Sequence, residues 1–183
     1  VEVPMLRNEA GAGSGAGTGE PAWSMDFEAI DRALSTAGAH GGSGGLLVLC
    51  NPHNPIGRVY TRAELEELSS IVEKHGARVF SDEIHAPLTF SGHTHVPYAS
   101  INDTAANHTV TVTSHSKSFN TPGLKCAQII FSNEADVATW DTHGMFTGKS
   151  AANPGLLAAV AAYRDSRDWL ADTSADLESK RDG

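Results

Sequence analysis

Leu46-Leu47-Val48-Leu49-Cys50 is an uninterrupted apolar run, closed on its far side by Asn51-Pro52. A strand without polar alternation reads as one buried on both faces, as parallel sheets are. Thr61 follows, with Glu64 three residues on, the pairing that caps a helix start. Leu65, Leu68, Ile71 and Val72 then supply one apolar stripe, and Gly76 ends it. Arg78-Val79-Phe80-Ser81 is the next short strand. Strand, helix and strand in this order form a βαβ unit, which demands a parallel pair joined by a right-handed crossover. The expected fold class is therefore α/β: a three-layer α/β/α sandwich with a mostly parallel sheet.

The remaining segments fit around that unit. Val1–Leu6 reads as a short strand, and Met25–Ala37 as an amphipathic helix with Phe27, Ile30 and Leu34 on one face. Thr109–Thr113 is rich in β-branched residues and Cys126–Phe131 in apolar ones, so both read as strands. Helices are expected at about Asn133–Thr142, at Pro154–Tyr163 and from Ser166 to the end. Ala86–Asn107 is loop-rich, with a short helix near Ser100. The glycines of Asn8–Glu20 and of Gly38–Gly45 never give G-x-G-x-x-G between a strand and a helix, so they read as surface loops and not as a nicotinamide cradle.

At 183 residues the chain is long enough for one core. Its 13 basic and 22 acidic residues give a formal charge of −9, which argues against non-specific nucleic-acid binding. No apolar run approaches a membrane span. Val1-Glu2-Val3-Pro4 has neither the basic nor the apolar part of a signal peptide, so a cytoplasmic location is expected. The missing initiator Met suggests a piece of something longer. Cys50 and Cys126 both fall in expected strands without C-x-x-C spacing, which reads as buried, reduced thiols.

In open α/β sheets, ligands bind outside the carboxyl ends of the strands. Three polar motifs occupy that position: Asn51-Pro52-His53-Asn54-Pro55-Ile56-Gly57, Asp82-Glu83-Ile84-His85 and Ser114-His115-Ser116-Lys117. A lysine just past a buried strand end is readily desolvated, which favours the free amine that forms Schiff bases. Ser114, Ser116 and Lys125 together suit a phosphate dianion. This inventory matches the needs of pyridoxal 5'-phosphate, an electron sink that works best with its ring nitrogen protonated by a nearby carboxylate. Asp82 is the candidate for that carboxylate, Asn54 for the amide that meets the phenolic oxygen, and Lys117 for the Schiff base and the later acid/base. Rival motifs are incomplete. Ser114-x-x-Lys117 matches S-x-x-K, but S-D-N and K-T-G are missing. His93-x-His95 alternates like two side chains on one strand face near His85, yet no third zinc ligand is evident, so no metal is expected. Asp141 and His143 have no nucleophilic serine beside them. Trp140, Tyr163 and Trp169 read as packing, Leu156–Ala162 as core or subunit interface, and Glu64, Glu66 and Glu67 as a solvated face.

On these motifs, residues 46–132 resemble the fold-type I pyridoxal phosphate enzymes of the class I/II aminotransferase family. Ser81–His85 and Ser116–Asn120 are most similar to the cystathionine β-lyase (C–S lyase) branch. The resemblance implies Lys117 as the Schiff-base lysine, Asp82 as ring-nitrogen partner, Asn54 as phenolate partner, and Ser114 and Ser116 as phosphate ligands. Lys125 stands where many members carry a phosphate-binding arginine, and lacks its bidentate fork. His85 stands where aminotransferases usually carry a tyrosine. One X-Pro bond within Asn51–Pro55 is expected to be cis. The resemblance further implies a homodimer, a partial cofactor-binding large domain at residues 1–164 and the start of a small domain at 165–183. The implied activity is a C–S β-lyase acting on an amino acid such as cystathionine or a cysteine conjugate, releasing a thiol, pyruvate and ammonia. An aminotransferase is the alternative. A non-catalytic fragment is the third reading, because the family's glycine-containing phosphate turn, stacking aromatic ring and carboxylate-binding arginine lie in segments these residues do not include.

Overall fold

β3 (Leu46–Cys50), α2 (Arg62–Lys74) and β4 (Arg78–Asp82) form the expected βαβ unit, with β3 and β4 parallel from Leu46↔Arg78 to Cys50↔Asp82. The computed structural model describes residues 1–8, 22–38, 44–144, 146–148 and 151–182; the glycine loops at 9–20 and 39–43 lie outside the described residues. α2 starts where the side chains dictate. Thr61 Oγ1 accepts the Glu64 N–H at 3.3 Å while Glu64 Oε2 accepts the Thr61 N–H at 2.8 Å, so two orphan donors are satisfied reciprocally. Arg58 Nη2 clamps the other Glu64 oxygen at 2.6 Å. The helix then buries Leu65, Leu68 and Val72 completely.

β5 (Thr109–Thr113) adds parallel to β4, and β6 (Gln128–Phe131) adds antiparallel to β5, giving the order β3-β4-β5-β6. Residues 114–127 turn at the rim instead of crossing back along the sheet, so β6 can only return in the opposite direction. Register and pleat sort the side chains onto two faces. Leu47, Leu49, Val79, Ser81, Thr109 and Thr111 share one face. That face packs on α1 (Phe27–Gly38) and α2 in a core holding Ile30, Leu34, Leu49, Leu65, Leu68, Val72, Val79 and Tyr98. Leu46, Val48, Phe80, Asp82, Val110, Val112, Ile129 and Phe131 share the other. α5 (Glu134–His143) covers part of it, through Arg78 Nη2 to Asp136 Oδ2 at 2.5 Å and Trp140 against Phe131, ring centroids 5.3 Å apart. These are the expected three layers.

Several expectations change. β3 is not buried on both faces: Leu46 is 63% and Val48 66% exposed. The reason is that α5 reaches the sheet by Arg78 and Phe131, and no described element lies over the open face of β3. The expected first strand is a two-residue β1 (Leu6–Arg7), paired antiparallel with β2 (Trp23–Ser24). Within the loop-rich stretch, a 3-10 turn occupies Tyr98–Ser100, and α3 (Asp103–His108) was not anticipated. Its N-cap is Asn102, whose Oδ1 accepts the Ala105 N–H at 2.8 Å, and six residues are too few to display a periodic stripe. Cys126 lies just before β6 and is buried; Cys50 is half-buried, and both are free thiols.

α4 (His115–Ser118), α6 (Asn153–Asp165) and α7 (Arg167–Asp182) are joined by rings. Tyr163 meets His115 and Phe119 edge-on at 6.3 and 6.0 Å, and Trp169 stacks on Phe119 at 5.9 Å. Trp140, Tyr163 and Trp169 thus pack, as expected. Gly155 lets α6 approach so closely that a Cβ there would overlap the Leu124 carbonyl. α7 folds back on the segment after β4, through Ser91 Oγ to Glu178 Oε1 at 2.5 Å and Arg181 over Phe90. No described helix is long and apolar enough to cross a membrane.

Candidate active site

The carboxyl ends of three strands stand side by side. Asp82 pairs in register with Cys50 on one side and with Val112 on the other. The ladder continues one step beyond, with Asn51 N–H on Asp82 O at 3.0 Å and Glu83 N–H on Val112 O at 2.9 Å. With strands spaced about 4.8 Å apart, the backbones that launch the three motifs lie within about 10 Å of one another.

Asp82 is half-buried on the open face, and its Oδ1 accepts the Ile84 N–H at 3.1 Å. Asn54 is exposed at the tip of a turn with cis bonds at both Asn51–Pro52 and Asn54–Pro55, where one had been expected. The turn is pinned by His53 N–H on Arg58 O and Gly57 N–H on His53 O, both 2.7 Å. Gly57 sits at φ 67°, a region that favours glycine. Beneath the turn, His53 Nδ1 and Tyr60 OH are 2.6 Å apart, and burial holds the His53 imidazole below its usual range. His85 is half-buried and leads into a 3-10 turn at Ala86–Leu88.

Ser114 caps α4: its Oγ accepts the Ser116 N–H at 3.0 Å and donates to Cys126 O at 2.6 Å. That second bond ties the turn to the entry of β6 and commits the hydroxyl proton. Ser116 is half-buried, and its hydroxyl has no hydrogen-bond partner among the described residues. His115 and Ser118, three residues apart, are the buried side of α4. Lys117 lies between them in sequence and so falls on the outer side, where it is exposed. The expectation of a desolvated lysine is not met among the described residues, because α4 spends its inward face on His115 and Ser118. Lys125 is exposed in left-handed backbone, φ 50°, and lines a hollow with Ala127, Ile129, Phe131 and Trp140. Asn54, Asp82, His85, Ser114, Ser116 and Lys117 thus leave one rim, while Lys125 approaches from the β6 side.

Two residues gain weight that sequence reasoning did not give them. Glu83 is 5% exposed, and its Oε1 accepts the Ser81 hydroxyl at 2.9 Å and the Tyr98 N–H at 3.0 Å. Its Oε2 meets His95 Nε2 at 2.9 Å. His95 is therefore a carboxylate partner. His93 is exposed, residues 93–96 form no strand, and no group of three metal-ligating side chains exists among the described residues. The available signal was phase: Glu83 continues the alternation of Val79 and Ser81, and a carboxylate on a packed face must find donors.

The sequence model of the family described as aminotransferase class I and II matches residues 16–183. The chain belongs to this family. It is 43% identical over 157 residues to cystathionine beta-lyase of Corynebacterium glutamicum, covering 86% of this chain and 41% of the relative. Against cystathionine beta-lyase PatB of Bacillus subtilis (strain 168), identity is 37% over 150 residues, covering 81% and 38%. Among solved structures, the PLP-bound C-S lyase from Staphylococcus hominis superposes with a TM-score of 0.75 at 30% identity, covering 98% of this chain and 41% of that one. This member of the class I and II family therefore spans about two-fifths of the length of these relatives. Its fold is theirs over that span, and the resemblance carried by the three motifs holds at the level of family and architecture.

Proposed function

We propose that this chain carries the central part of a pyridoxal phosphate site in a C–S β-lyase. The observation that carries the reading is the register of Cys50, Asp82 and Val112, which launches an amide, a carboxylate and a lysine motif from one rim in a chain similar to cystathionine beta-lyases. The donor set fits the cofactor. Asp82 has a carboxylate oxygen without a partner among the described residues, Ser116 has an uncommitted hydroxyl, and Lys117 and Asn54 are accessible. Ser116 and Lys125 are the ready phosphate ligands; Ser114 joins them by releasing Cys126 O.

Bound there, the cofactor supplies an electron sink for the pair left behind when an amino acid loses its α-proton. The other tasks belong to this chain. Asp82 would hold the ring nitrogen and favour its protonated form. Asn54 would donate to the phenolic oxygen, and His85 is the further candidate for that oxygen. Lys117 is the attachment point and then the base that takes the α-proton from the amino acid. The thiolate leaves Cβ as the Cα–Cβ double bond forms and takes up a proton to become the thiol; water hydrolyses the released aminoacrylate to pyruvate and ammonia. The substrate is cystathionine or a cysteine conjugate. The family description favours transamination as a second reading, which uses the same residues.

Pyridoxal phosphate added to the protein is expected to become borohydride-fixable at Lys117. Lys117→Ala is expected to abolish that label and to lower thiol and pyruvate release by about 100- to 10,000-fold, the range of a positioned base. A label that persists in Lys117→Ala sinks the assignment of the lysine. A new amino acid formed from an added keto acid, without free thiol, replaces the lyase by the transaminase.

A further inference from the structure

Behind the rim, four residues form a hydrogen-bond chain whose direction is fixed. A backbone N–H can only donate, so the Tyr60 N–H sets Asn51 Oδ1 at 3.1 Å as its acceptor. The Asn51 amide then turns Nδ2 toward His95 Nδ1, 3.5 Å away. That ring nitrogen must accept, which places the imidazole proton on Nε2, 2.9 Å from Glu83 Oε2. Glu83 Oε1 is occupied by Ser81 and Tyr98. Asn51 and Ser81 are fully buried and Glu83 nearly so, so water does not substitute for a lost partner without cost.

The chain ties together three parts of the rim: the end of β3 at Asn51, the end of β4 at Glu83, and the loop carrying His95. Asn54 is three residues beyond Asn51, and Asp82 immediately precedes Glu83. We propose that Glu83, His95 and Asn51 are positioning residues, holding Asn54 and Asp82 in the relative placement that the cofactor ring requires while touching neither cofactor nor substrate. The inference rests on the pyridoxal phosphate reading.

The direction of the chain supplies its test. Glu83→Gln keeps the shape and the bonds from Ser81 and Tyr98 but presents an NH₂ to His95 Nε2–H, donor against donor. His95→Leu removes the link, and His95→Gln preserves one donor and one acceptor. Two measurements are made on the whole protein: pyridoxal phosphate affinity with the visible circular dichroism of the held cofactor, and amide hydrogen exchange at Tyr60 without cofactor. Glu83→Gln and His95→Leu are expected to weaken cofactor binding about tenfold, as for loss of one hydrogen bond to a charged group, to diminish the visible dichroism at saturation, and to speed exchange at Tyr60. His95→Gln is expected to stay within about threefold of wild type, which a merely space-filling role does not require. Folded His95→Leu with wild-type affinity and dichroism overturns the proposal, as does unchanged exchange at Tyr60. Failure of the cofactor reading is seen elsewhere, in wild-type protein that takes no pyridoxal phosphate.

Discussion

One set of strands builds two unlike faces. On the packed face, Leu49 and Val79 meet Leu65, Leu68 and Val72, and even the polar side chains, Ser81 and Thr109, are fully buried. On the open face, Val48 is 66% exposed, and α5 meets the sheet through Arg78 and Phe131. The acidic pair at the end of β4 divides between them. Glu83 turns to the packed face, where Ser81, Tyr98 and His95 consume its oxygens. Asp82 turns to the open face with one oxygen bonded locally. The difference teaches that adjacent carboxylates acquire different duties from pleat alone. The one among donors holds the frame, and the one left accessible can meet a ligand.

The comparison breaks first at Leu68, which is 0% exposed on α2. Leu68→Ala removes buried methyl groups and leaves a cavity, so unfolding free energy is expected to drop by about 2–5 kcal/mol. Urea denaturation followed by circular dichroism measures it. A drop below about 1 kcal/mol would place the stability of this chain somewhere other than the packed face.

His108 tests the margin of the same face by pH. Its Nε2 is 3.0 Å from the buried Tyr98 hydroxyl, and burial, with Arg78 nearby, pushes its pKa down from 6.5 to about 4. The neutral ring is favoured in the fold, so the unfolded chain binds the proton first. Stability from this group is complete above pH 6.5 and is lost as pH falls toward 4. Glu64 loses its own contribution lower down. Burial raises its pKa, but the Thr61 cap and Arg58 outweigh that and leave it below the usual range. In His108→Gln, the decline of the urea midpoint between pH 6.5 and 4 is expected to flatten. An equally steep decline in the variant would show that other groups govern that window.

Much of this contrast was legible in the sequence, and the part that was not has a physical cause. The βαβ unit was readable because Thr61, Glu64 and the Leu65–Val72 stripe act within one turn or two of each other. The three motifs were readable because each begins where a strand ends. The antiparallel return of β6 was not, since it depends on where residues 114–127 go and no local propensity encodes that. Exposure of β3 was missed because an apolar run reports what a strand prefers, and whether a covering layer lies over it is decided elsewhere. His93-x-His95 held no metal expectation, but the sequence did not show that His95 partners Glu83, twelve residues earlier. Lys117 was expected to be desolvated by its strand; the phase of a four-residue helix put it outside.

The smallest expected effect sharpens the comparison most. Val48 keeps two-thirds of its surface in water, so Val48→Thr retains the β-branched shape while removing little buried area. On an uncovered face it should change unfolding free energy by less than about 0.5 kcal/mol. The same substitution on a covered face would bury a hydroxyl without a partner, at a cost of about 1–3 kcal/mol. Measuring Val48→Thr at low and high protein concentration therefore reads the state of the face directly. A small effect at both concentrations means the β3 side stays open in solution. A large effect that grows with concentration means a second copy lies against it, because association stabilises by mass action and a covalently attached layer does not.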